Sequence, residues 1–71
     1  MRNFKTNIEG KDFVFEYLFS KDDVAYLVTS GGKSFEMEID DNGLWKIVSR
    51  VPYNLLRLES KFDMAIEAAN F

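Results

Sequence analysis

The chain has 71 residues, 46% hydrophobic and 15% aromatic, with 12 acidic against 9 basic side chains and a net charge of −3. It contains no cysteine and no histidine, which removes disulfides, thiolate metal sites, the commonest metal ligand and the usual general base near neutral pH. A chain of this length is expected to form one small domain over 1–71 with a narrow stability margin, and its acidic balance disfavours nucleic-acid phosphates as partners.

Residues 1–10 hold no apolar run of the length a secretion signal requires, and no later stretch approaches a membrane span. A cytoplasmic protein without a membrane partner is therefore expected. Turn residues at Gly10-Lys11, Lys21-Asp22, Gly31-Gly32 and Asp41-Asn42-Gly43 divide the first fifty positions into segments that alternate in polarity. That is the pattern of an antiparallel meander. Strands are expected at about 2–9, 12–20, 23–30, 33–40 and 44–50, making a sheet over about 2–50.

Two-residue loops at the first three turns give a testable register, because a slip of one residue would exchange the two faces. Ile8 then opposes Phe13, Thr6 opposes Phe15 and Phe4 opposes Tyr17. In the second hairpin Phe19 opposes Val24, Tyr17 opposes Tyr26 and Phe15 opposes Val28. In the third, Val28 opposes Phe35, Tyr26 opposes Met37 and Val24 opposes Ile39. One face is apolar across four strands, and the other sets Lys5 against Glu16.

The third turn sits in Thr-Ser-Gly-Gly-Lys-Ser-Phe at 29–35, which ends like a phosphate-cradling loop. That motif needs a glycine where Leu27 stands and a helix after the lysine, whereas Ser34 to Asp40 alternate as a strand. The glycine pair is instead the two-residue turn of a hairpin. At the fourth turn a two-residue Asn-Gly loop would place Lys46 on the apolar face. A three-residue loop, a type I turn closed by left-handed Gly43, sets Trp45 opposite Ile39, Ile47 opposite Met37 and Lys46 opposite Glu38. Glu38, Asp40, Asn42 and Gly43 resemble the start of a calcium loop, but Ser49 stands where the closing bidentate glutamate is required.

After Arg50 the period lengthens. Pro52 suits a helix start, and Leu55, Leu58, Phe62, Ala65, Ile66 and Ala69 form one apolar stripe of an amphipathic helix over about 52–70. The stripe crosses Ser60 without a change of phase, so a continuous helix is expected, with a break near Leu58 to Glu59 and a Ser60–Asp63 capping pair as the alternative.

The fold class is α+β: a five-stranded antiparallel meander followed by one C-terminal amphipathic helix on the apolar sheet face, βββββα in two layers. Five strands span roughly 24 Å and one helix about 10 Å, so part of the apolar face is expected to stay uncovered and to mark a partner site. Phe4, Phe13, Phe15, Phe19, Phe62 and Ile66 are the candidate interface residues, and a homodimer or another protein is the expected partner. No catalytic, cofactor-binding or metal-binding residue is identified, and no small-molecule substrate is evident. The chain reads as a non-catalytic, self-associating interaction module. A meander followed by one helix is similar in topology to single-strand-binding coactivator-type and Whirly-type proteins, an architectural resemblance without a shared motif, which implies single-stranded nucleic-acid binding as the alternative.

Overall fold

The structure is a computed structural model and describes residues 1–19 and 23–71. Its strands are β1 (Phe4–Ile8), β2 (Lys11–Phe19), β3 (Val24–Ser30), β4 (Lys33–Ile39) and β5 (Trp45–Ile47), in one antiparallel sheet of order β1-β2-β3-β4-β5. One helical turn, α1 (Tyr53–Leu56), and a longer helix, α2 (Glu59–Ala69), follow. The layout is the α+β meander-then-helix that the sequence predicts. The expected turn at Lys21-Asp22 lies outside the described residues.

From β2 onward the pairings are those set by the alternation of polar and apolar side chains. Phe15 faces Val28, Tyr17 faces Tyr26 and Phe19 faces Val24, then Val28 faces Phe35 and Tyr26 faces Met37. The three-residue fourth turn holds as well, with Trp45 opposite Ile39, Ile47 opposite Met37 and Lys46 opposite Glu38. Gly43 adopts φ +80° and donates its N–H to the Asp40 carbonyl at 3.0 Å. Asp40 Oδ1 accepts the amides of Asn42 at 2.9 Å and Leu44 at 3.0 Å, so this carboxylate builds the turn itself.

The first hairpin departs from the expected register by two residues: Phe4 lies opposite Phe15, Thr6 opposite Phe13 and Ile8 opposite Lys11. Its loop is Glu9-Gly10, with φ +54° and +83°, rather than Gly10-Lys11. Both central residues of a type I′ turn need positive φ, and glutamate rarely occupies that region, which is why the sequence pointed one residue too far along. A shift of two preserves every face. Only partners change: Lys5 sits opposite Val14, not Glu16, and its ammonium pairs with Asp12 at 3.5 Å.

β5 is shorter than expected because side chains and the helix take over its hydrogen bonding. Val48 N still donates to the Glu36 carbonyl at 3.0 Å, but Glu36 N donates to Ser49 Oγ at 2.9 Å, so a hydroxyl replaces the next carbonyl of the ladder. The helical segment also differs from the continuous helix expected. It breaks at Arg57 and Leu58, where Leu58 N bonds three residues back to the Leu55 carbonyl at 3.0 Å and Leu58 takes φ −92°, ψ 1°. α2 then crosses Ser60 unbroken. Asp63 is not a cap: its Oδ1 accepts the backbone N–H of Trp45 at 2.9 Å.

The expected surplus of sheet area is largely removed by curvature. Both edge strands, β1 and β5, contact the same helix, so the sheet curls round α2 rather than lying beneath it. Phe13, Phe15, Tyr26, Val28, Met37, Phe62 and Ile66 are fully buried, with Trp45, Phe35 and Leu58 nearly so. Phe62 is the centre of this core. Its ring meets Phe13 at 5.0 Å edge-on, Phe35 at 5.4 Å and Phe15 at 6.1 Å between centroids, while Phe4 stacks on Phe15 at 4.4 Å.

Candidate functional site

The two sheet edges are finished differently, and this decides which surfaces are free. In β5 the outward backbone donors are taken by α2: Asp63 accepts Trp45 N–H, and Glu59 Oε2 accepts Ile47 N–H at 2.9 Å. Carboxylates on backbone amides make strong bonds and close this edge to another strand. Glu59 also lies 3.5 Å from Lys46 Nζ, so Lys46, although opposite Glu38 in the sheet, makes its ion pair with the helix.

β1 is fastened to the helix at both ends. At one, Glu9 takes Arg57 bidentately, at 2.7 and 3.2 Å, and Lys61 at 2.8 Å. The hydrogen bonds from Arg57 and then from Lys61 hold the Glu9 carboxyl at about 2, well below its ordinary 4.5, and Glu9 in turn raises the Arg57 guanidinium. At the other end Arg2 N donates to Asn70 Oδ1 at 2.9 Å, Asn70 Nδ2 donates to the Tyr26 hydroxyl at 2.9 Å, and that hydroxyl donates to the Arg2 carbonyl at 2.8 Å. A closed ring of hydrogen bonds thus joins the start of β1, the end of α2 and a core tyrosine. Next to this ring the β1–β2 ladder ends, with Tyr17 N donating to Asn3 Oδ1 at 2.7 Å.

The six candidate interface residues separate sharply. Phe13, Phe15, Phe62 and Ile66 are buried in the chain's own core and present no surface to a partner. Phe4 is half-buried against Phe15. Phe19 alone is open, at 77% exposure. The far strands are covered because the helix runs between the two edges, and on the concave face of the sheet the exposed apolar side chains stand at one end of it. There Phe19, half-buried Val24 and Ile39, 45% exposed, stand on the same face beyond the helix.

On the other, outer face of the sheet a groove of about 270 Å³, lined by Leu18, Asp23, Ala25, Glu36 and Glu38, reaches the rim at Phe19. The sequence reading sets Glu38 opposite Lys46 and connects neither it nor Glu36 with Phe19. The signal was the register itself, which places Ala25 between Leu18 and Glu38. The arrangement can hold an apolar side chain next to a cation. No helix among the described residues is long and apolar enough to cross a membrane. Compared with known proteins, the chain matches no family model, no curated protein and no solved structure.

Proposed function

We propose that the chain is a small non-catalytic interaction module that docks another protein through the open end of its sheet around Phe19. The partner offers an apolar anchor flanked by basic side chains. One observation carries this: a phenylalanine 77% exposed ends β2 beside a groove that carries Glu36 and Glu38. Burying such a side chain is worth about 1.5–3 kcal/mol, and a lysine or arginine can lay its aliphatic stem on Phe19 and Leu18 with its head at the carboxylates. A second copy of this chain would bring two such acidic walls together at a net charge of −3, which makes self-association the weaker form of the proposal. The outer sheet face carries Val14, Leu27 and Val48 among Glu16, Glu36 and Glu38 and, among the described residues, has a ring only at its rim in Phe19, with carboxylates rather than cations beside it, so a nucleic-acid strand has less support still.

The test is fluorescence anisotropy with a labelled peptide of alternating leucine and lysine. Saturable binding is expected, weakened by salt, abolished by Phe19→Ser and absent for the same peptide with glutamate in place of lysine. Equal binding by wild type and Phe19→Ser, or none by either, sinks the proposal. A dimer mass by light scattering that Phe19→Ser returns to monomer would replace the partner by a second copy.

A further inference from the structure

At the opposite end of the sheet from Phe19, the turn that resembled a phosphate loop borders a cleft. This cleft, of about 540 Å³, lies between the ends of β2, β3 and β4 and the start of α1. That volume is in the range of small-molecule sites, roughly 300–1,000 Å³. Its apolar lining is Phe35, Leu55 and Pro52, and its polar rim is Lys11, Ser30, Lys33 and Asn54, with Gly31 and Asp12 completing the wall.

The rim lysines share with Arg2 and Arg50 the lack of an ion pair among the described residues, whereas the other described cations are paired. Lys5, Lys46, Arg57 and Lys61 are each committed to a carboxylate. Lys11 and Lys33 have no ion-pair partner among the described residues, and the side chains of Ser30 and Asn54 have no hydrogen-bond partner there. Two unneutralised cations and two neutral polar groups therefore surround one apolar cavity in a protein of net negative charge. Asp12 does not neutralise the lysines, because Asn7 Nδ2 donates to its Oδ1 at 3.0 Å and Lys5 lies 3.5 Å from its Oδ2.

We infer that this cleft binds a small amphipathic organic acid, with its apolar body against Phe35, Leu55 and Pro52 and its carboxylate between Lys11 and Lys33. Glycine at 31 and 32 keeps the turn narrow and without side chains, so the cleft mouth beside Lys33 stays open. The phosphate-loop letters are thus not a nucleotide motif, yet the turn they form delivers a lysine to an anion. The site is independent of the Phe19 surface.

The experiment is an amide NMR titration of the full chain with phenylbutyrate, alongside phenylbutanol and inorganic phosphate. Phenylbutyrate should shift Gly31, Lys33, Asn54 and Leu55 saturably, and Phe19→Ser should leave that titration unchanged. Lys11→Gln and Lys33→Gln, at exposed positions that preserve the fold, should each weaken it about two- to fivefold, the scale of an exposed charge pair. Equal affinity for phenylbutanol would overturn the role of the lysines, and equal affinity for inorganic phosphate would overturn the apolar subsite. No saturable shift at millimolar phenylbutyrate, or shifts unaffected by both lysine variants, would overturn the inference as a whole.

Discussion

The two ends of the sheet's concave face are built from the same kind of residue and end in opposite states. At one end Phe13 and Phe15 close on Phe62 without remaining surface, and Phe35 packs on Phe62 and keeps only the 3% that lines the cleft beside Leu55. At the other, Phe19 and Ile39 continue the same alternation into solvent. Hydrophobic pattern decides which face a side chain is on. Whether that face is covered depends on where the helix runs, and α2 is steered by Asp63 and Glu59 on β5 and by Arg57, Lys61 and Asn70 on β1. Buried and exposed apolar residues of this face are therefore separated by a handful of polar contacts rather than by hydrophobicity.

The sharpest contrast comes from truncating the closed end. Phe62→Ala should destabilise by about 3–5 kcal/mol, the cost of removing a fully buried aromatic ring, as read by urea denaturation. A loss under 1 kcal/mol would mean that the closed end is not the core. The steering contacts come next. Asp63→Ala leaves the part-buried Trp45 N–H without its acceptor and should cost about 1–3 kcal/mol, with faster amide exchange at Trp45 as the local signature.

Gly43→Ala probes the turn that carries Ile39 and Leu44. An added Cβ there meets nothing within 4 Å, so the expected loss of about 1 kcal/mol comes from φ +80° alone. An unchanged melting temperature would contradict the left-handed turn.

The Glu9 contacts predict a pH dependence of definite sign. The folded chain holds this carboxyl at about 2 against an ordinary 4.5, so the unfolded chain binds the proton more readily. The stabilisation is complete above about pH 4.5 and is lost as pH falls through about 2. The melting-temperature difference between wild type and Glu9→Gln should therefore shrink across that window, and shrink with added salt at neutral pH. A difference that grows on acidification would reverse the assignment.

Strand order, face assignment and the fourth turn were legible because alternation with period two is direct evidence of a half-buried strand. The stripe Leu58, Phe62 and Ile66 was legible for the same reason at helical period, and all three are buried. The β1 register was not, since it depends on a glutamate at positive φ that Arg57 and Lys61 engage from distant parts of the chain. The curl of the sheet was likewise illegible. It follows from carboxylates of α2 meeting amides of β5, a contact that no local pattern announces. Four of the six interface candidates fell into the core as a result, and Phe19 remained.

Phe19→Ser is expected to change stability by no more than about 0.5 kcal/mol, as befits an exposed side chain, and it supplies the control for the decisive measurement. That measurement is a two-dimensional amide NMR titration of the chain with the leucine–lysine peptide. The account predicts saturable shifts confined to Leu18, Phe19, Val24, Ala25, Glu36, Glu38 and Ile39, and their loss in Phe19→Ser. Shifts centred elsewhere, or the same shifts in both proteins, would contradict a docking role for the open end of the sheet.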